Sequence, residues 1–92
     1  MANSKIFYVI FSSPSEKLFL RLKKEIQHKE SGIIAGSARH AVFSLPTQGI
    51  KGVLSICENK VRFLITQKPS LMPYNVIAFA TKRRVMRLDS QA

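Results

Sequence analysis

This chain of 92 residues has one cysteine, no tryptophan and only five carboxylates, and each scarcity excludes something. With Cys57 alone no intramolecular disulfide can form, which fits a reducing compartment, and the cytoplasm is the expected location. One Cys and two His supply no CxxC, no HxxxH and no cluster with acids, so neither a metal nor another cofactor is expected. Glu16, Glu25 and Glu30 lie along a helical pattern, Glu58 in a turn and Asp89 near the end. They form no carboxylate pair suited to acid–base catalysis and read as solvated charges or helix ion pairs, Glu25 with Arg21 or Lys29. Gly49 and Gly52 lack the Lys and Ser/Thr spacing of a phosphate loop, and the next element is a strand.

Long apolar runs are missing too. The segment 6–11 follows Lys5 but is short for a signal h-region and has no small-residue cleavage site after it. No stretch approaches the roughly 20 residues of a bilayer span. An enzyme is not expected.

Positive charge is what the chain has in excess: 15 Lys and Arg against five Asp and Glu give a formal charge of +10. Charge of this size draws a protein toward polyanions without selecting a fold or a reaction. The 46% hydrophobic content, with six Phe, supplies one packed core. A chain this short buries roughly 60 to 70% of its unfolded surface, near the lower end for folding without cross-links.

Along the chain, the unbroken run 6–11 (IFYVIF) reads as a strand covered on both faces, hence central in a sheet. Ser13, Pro14 and Glu16 make a helix start, with Ser13 as cap. The helix over 14–29 places Leu18, Phe19, Leu22 and Ile26 on one face, and Lys17, Arg21, Lys24 and His28 nearly opposite. Leu20 lies toward the outer side, and Gly32 offers the left-handed residue that ends such a helix.

Residues 33–35 form a short strand and 40–45 a clearer one, closed by Pro46. A loop over 46–51 leads to a strand over 53–57, and Glu58 and Asn59 turn into a strand over 61–66. These loop lengths pair Ile56 with Val61, Leu54 with Phe63, Phe43 with Leu54 and Ala41 with Ile56, all on one apolar face. Residues 74–88 fit a helix with the stripe Tyr74, Ile77, Thr81, Val85 and Leu88, although 75–81 alone also fit a strand.

The expected fold is therefore α+β: a two-layer, mostly antiparallel sheet of four to five strands with two helices on one face, in the order β-α-(β)-β-β-β-α. Residues 1–92 make one small domain, with 89–92 as a disordered tail.

Three surfaces are candidates for function. Lys17, Arg21 and Lys24 on the first helix, and Lys82, Arg83, Arg84 and Arg87 near the end, are suited to holding phosphates of nucleic acid or another polyanion. For the first group the plain alternative is a solvated helix face, and for the second, cations that favour the helix dipole. The uncovered sheet face carries Val42, Val53 and Leu64, with Arg39, Lys60 and Arg62 on or near it. Sheets that bind single strands use exposed aromatics, whereas the strand phenylalanines here face inward, one in the first strand excepted, so this surface reads as a partner interface, joined by Val76 and Phe79. Lastly, the register sets His40 across from Cys57, a thiol beside an imidazole, but with no acid or amide to orient the ring.

The leading expectation is thus a small basic non-enzymatic module binding nucleic acid or another polyanion. The second is a protein-interaction or assembly module, with an acidic protein or a second copy as partner. A hydrolase built on Cys57 and His40 is a remote third.

Overall fold

In the computed structural model, which describes residues 5–29 and 31–90, five strands form one antiparallel sheet under two helices. The strands are β1 (Lys5–Ile10), β2 (Ile33–Ser37), β3 (His40–Leu45), β4 (Ile50–Cys57) and β5 (Lys60–Gln67). Helix α1 (Ser15–Lys24) continues into a π-helical turn (Glu25–Lys29), and α2 spans Tyr74–Asp89. The sheet order is β1-β5-β4-β3-β2, so the chain crosses from one edge to the other through α1 and returns as a four-strand meander. This is the expected two-layer α+β arrangement, and residues 74–89 are helix.

The core lies between the helices and one sheet face. Val9, Ile34, Ala41, Phe43, Leu45, Leu54, Ile56, Val61, Phe63 and Ile65 rise from the strands, with Phe11 just after β1, to meet Leu18, Phe19, Leu22, Ile26, Ile77, Val85 and Leu88. Phe63 is its aromatic hinge: Phe7 stacks on it at 5.2 Å, and Phe43 meets it edge-on at 6.3 Å. In α2, Ile77, Val85 and Leu88 are buried, and the Thr81 hydroxyl donates to the Ile77 carbonyl at 2.7 Å, so the stripe predicted from spacing is the packed one.

Several expectations are corrected. β1 is an edge strand, not a central one: among the described residues only β5 pairs with it, and Ile6, Tyr8 and Ile10 are exposed. Its continuous apolar run hides the alternation, because both of its faces are apolar while only one is covered.

β3 and β4 pair with Ala41 opposite Leu54 and Phe43 opposite Gly52, two residues from the expected register. The turn is shorter than predicted, since Leu45 already faces Ile50, with Gly49 taking φ 70°. An even shift keeps every side chain on its face, so the expected core survives the slip. The β4–β5 register holds as predicted, with Leu54 opposite Phe63 and Ile56 opposite Val61.

Helix ends differ as well. Ser13 does not cap α1: Pro14 holds that position without a side-chain cap bond, and the Ser13 hydroxyl donates to the Asp89 carbonyl. Ser31, not Gly32, takes the left-handed conformation, at φ 52°. Gly32 is needed for space instead, because a Cβ there would lie 2.6 Å from the Ser44 carbonyl oxygen. Asp89, assigned on sequence to a terminal tail, is the last residue of α2 and binds Ser12 and Ser13, while residues 91–92 of that tail lie outside the described residues.

Candidate functional site

The sheet face turned away from the helices has no layer over it among the described residues. Strand pairing lines up one row across all five strands on that face: Ile6 beside Leu64, Leu64 beside Val53, Val53 beside Val42, and Val42 beside Ala35. Alternation then places the cations on both sides of the row. Toward one end come Arg62, which pairs with Tyr8 and Ser55, and Lys60, which pairs with Ile10 and Cys57. Toward the other end lies Lys51, opposite Ser44, with Ile33 on the other side of that serine.

Val42, Val53 and Leu64 therefore share one surface, as expected, with Val42 52% exposed and the other two half-buried. Sequence reasoning missed the contribution of β1, where Tyr8 is 54% and Ile10 67% exposed. No periodicity in the run 6–11 distinguishes its two faces, so only the sheet order reveals them. Val76 and Phe79 are exposed too, but on α2 in the other layer, so they are not part of this surface.

The seven cations proposed for polyanion binding do not act as one group. Arg21 donates Nη1 to the Leu88 carbonyl at 2.9 Å and to the Ser13 hydroxyl at 3.4 Å, satisfying an acceptor at the C-terminal end of α2. Glu25, expected to pair with Arg21 or Lys29, is only 6% exposed and meets Lys29 at 3.8 Å, and it also draws in Arg87 and, at 3.4 Å, Arg84. A buried carboxylate needs such company, because losing water is costly for a charge without partners. Lys17 and Lys24 on α1, and Lys82 and Arg83 on α2, are exposed, with Arg83 over the Phe79 ring at 5.7 Å. Between α1 and the end of α2 is an open depression of about 510 Å³, lined by Arg21, Lys24, Glu25, His28, Lys29 and Leu88.

The His40–Cys57 pairing is not formed by the sheet. The β3–β4 register, two residues from the expected one, sets Ala41 opposite Leu54 and so takes His40 away from Cys57, whose partner on β5 is Lys60, while His40 pairs with Ser37 on β2. Among the described residues no three His, Cys, Asp or Glu side chains gather as metal ligands, and no helix is long and apolar enough to cross a membrane.

Fold and surface together define a two-layer α+β protein with one uncovered, apolar-centred and basic-rimmed sheet face. Beyond that class, the chain matches no protein-family model, no curated protein and no solved structure.

Proposed function

We propose that this protein is a non-enzymatic binding module whose open sheet face docks an acidic protein partner. The observation that carries the reading is the apolar row from Ile6 to Ala35 between cationic flanks. Protein interfaces have this anatomy, with apolar groups at the centre and polar groups at the rim. A sheet covered on one side only is normally polar on the other, so an apolar second face calls for a third layer.

Charge selects the occupant. A second copy would bring Lys51, Lys60 and Arg62 against another set of the same cations, whereas an acidic partner turns each into an attraction that speeds encounter. Nucleic acid fits less well, because stacking platforms use several aromatics and this face presents Tyr8 among aliphatic side chains. The internal engagement of Arg21, Arg84 and Arg87 also weakens a helix-borne phosphate site.

The test uses an amphipathic peptide long enough for the sheet. Five strands span about 19 Å at their usual spacing, which a helix of about 13 residues covers. A Leu/Glu peptide of that design should shift the amide and methyl signals of Ile6, Val42, Val53 and Leu64, and its Leu/Lys counterpart should not. Leu64→Arg should abolish the effect. Concentration-dependent dimers that Leu64→Arg dissolves, or salt-sensitive oligonucleotide binding with the peptide inert, would replace this reading with self-assembly or polyanion binding respectively.

A further inference from the structure

Beside the open face, the free edge of β1 offers main-chain groups that no strand uses. The Phe11 N–H donates to the Asn59 carbonyl at 2.9 Å, continuing the β1–β5 ladder by one residue. Antiparallel alternation then turns the N–H and C=O groups of Phe7 and Val9 toward β5, and those of Ile6, Tyr8 and Ile10 away from it. Among the described residues no strand meets these outward groups. Natural edges are guarded by proline, charge, bulges or short length, and beyond Lys5 the six-residue β1 has none of these. The opposite edge, β2, is five residues long and contains Gly36 at φ 122°.

Charge sets what an added strand must carry. Its side chains on the open face would stand beside Ile6, Tyr8 and Ile10, with Leu64, Arg62 and Lys60 next in line on β5. Arg62 and Lys60 are exposed and meet no carboxylate among the described residues. They lie two strand spacings from the added strand, about 10 Å, a gap that a long cation and a glutamate bridge between them. A second copy of β1 brings no carboxylate, since its one charged residue is Lys5. We infer that β1 takes up an extended acidic segment as a sixth, antiparallel strand, apolar opposite Ile6 and carboxylate-bearing opposite Tyr8 and Ile10. The inference rests on the acidic partner proposed above and names how part of it is held: main-chain hydrogen bonds give affinity, and side chains select.

The probe is the blocked peptide Thr-Glu-Thr-Glu-Thr-Val-Thr, whose glutamates fall opposite Ile10 and Tyr8 and whose valine falls opposite Ile6. It is titrated into the full chain and followed by amide hydrogen exchange. In the free protein the amides of Ile6, Tyr8 and Ile10 should exchange faster than those of Phe7 and Val9. Saturating peptide should slow the first set by about tenfold or more. A peptide with Lys for Glu should bind at least about tenfold more weakly, as should the original peptide to Arg62→Glu. Methylating the backbone nitrogen of the second glutamate, which faces Tyr8, should abolish binding, whereas methylating that of the next threonine should not. Tyr8→Pro, at a position whose N–H the ladder does not use, should fold and fail to bind; the methylated pair gives the same answer should it not fold. The inference is overturned if no saturable protection arises, if the two methylated peptides bind alike, or if the Lys peptide binds as well as the original. Protection that grows with protein concentration alone would replace it with pairing of two copies. Binding of the helical Leu/Glu peptide without edge protection sinks the added strand and keeps the docking face, and the reverse outcome keeps the strand and sinks the face.

Discussion

The Ser13 backbone N–H donates to Asp89 Oδ1 at 2.7 Å, joining residues 76 apart and fastening the end of α2 to the turn that starts α1. The Ser12 N–H and hydroxyl donate to Oδ2 at 2.9 and 3.2 Å. With the Ser13 hydroxyl as the strongest influence, and partial burial opposing, these donors hold the Asp89 carboxyl at about 2 against its ordinary 3.8. One carboxylate thus does for two helix ends what a local cap does for one.

A pH dependence follows, with its sign set by the lowered pKa. Stability from Asp89 is fully present above about pH 4 and is lost as pH falls toward about 2, where the folded form also takes up the proton. Solvent screening reduces the effect to about 1 kcal/mol. Thermal melts of the parent and Asp89→Asn from pH 2 to 7 should differ by about that amount at neutral pH and converge at the acid end. Parallel curves would dismiss the contact as a contributor.

Glu25→Gln removes the charge that gathers Lys29, Arg84 and Arg87. A loss of about 1 to 3 kcal/mol is expected in urea, less than for a fully buried pair because the arginines are partly solvated. The released cations should also delay elution from heparin relative to the parent. Unchanged elution would mean that these arginines stay unavailable to anions even without Glu25.

Glu58 holds φ 57° in the β4–β5 turn, a conformation that costs a side chain roughly 1 kcal/mol. Glu58→Gly should raise the urea midpoint by an amount equivalent to at most about 0.5 kcal/mol, net of glycine's greater unfolded-state entropy. A lower midpoint would show that the side chain makes compensating contacts.

Gly52 leaves no room for a larger residue. A Cβ there would stand 2.4 Å from the Leu64 carbonyl oxygen and 2.8 Å from Phe43 Cζ. Gly52→Ala should therefore destabilise by about 2 kcal/mol or more and broaden the NMR signals of Phe43. A shift within about 0.5 kcal/mol would mean that the strands can separate cheaply at this bulge.

The open face can be made polar without harming the fold. Val42→Thr and Ile10→Thr keep β-branched side chains at exposed strand positions, so stability should change by no more than about 0.5 kcal/mol each. Solubility should rise while binding of the Leu/Glu peptide falls. A large loss of stability would show that these residues are packed, not waiting for a partner.

Local rules carried the reading where the contacts are local. A two-residue turn pins one register, so Leu54–Phe63 and Ile56–Val61 are legible from spacing, and one helical stripe tells Ile77, Val85 and Leu88 where to point. The β3–β4 pairing slipped by two because the Pro46–Gly49 segment turns more tightly than its composition suggests, yet alternation kept the faces right. Of the candidate site, Val42, Val53 and Leu64 could be placed together in this way. Ile6, Tyr8 and Ile10 could not, because a strand apolar on both faces reads the same at the edge of a sheet as at its centre.

The sequence by itself determined the order of elements, the composition of the core and the excess of positive charge, since periodicity and turn chemistry act over a few residues. Only the tertiary structure decided which charges oppose one another and which apolar face stays uncovered. Glu25 meets Arg84 and Arg87, and Ser13 meets Asp89, because α1 and α2 are brought side by side over the sheet. β1 comes to lie at an edge because the returning meander ends with β5 alongside it. Such pairings depend on where distant segments pack, and no local pattern records that.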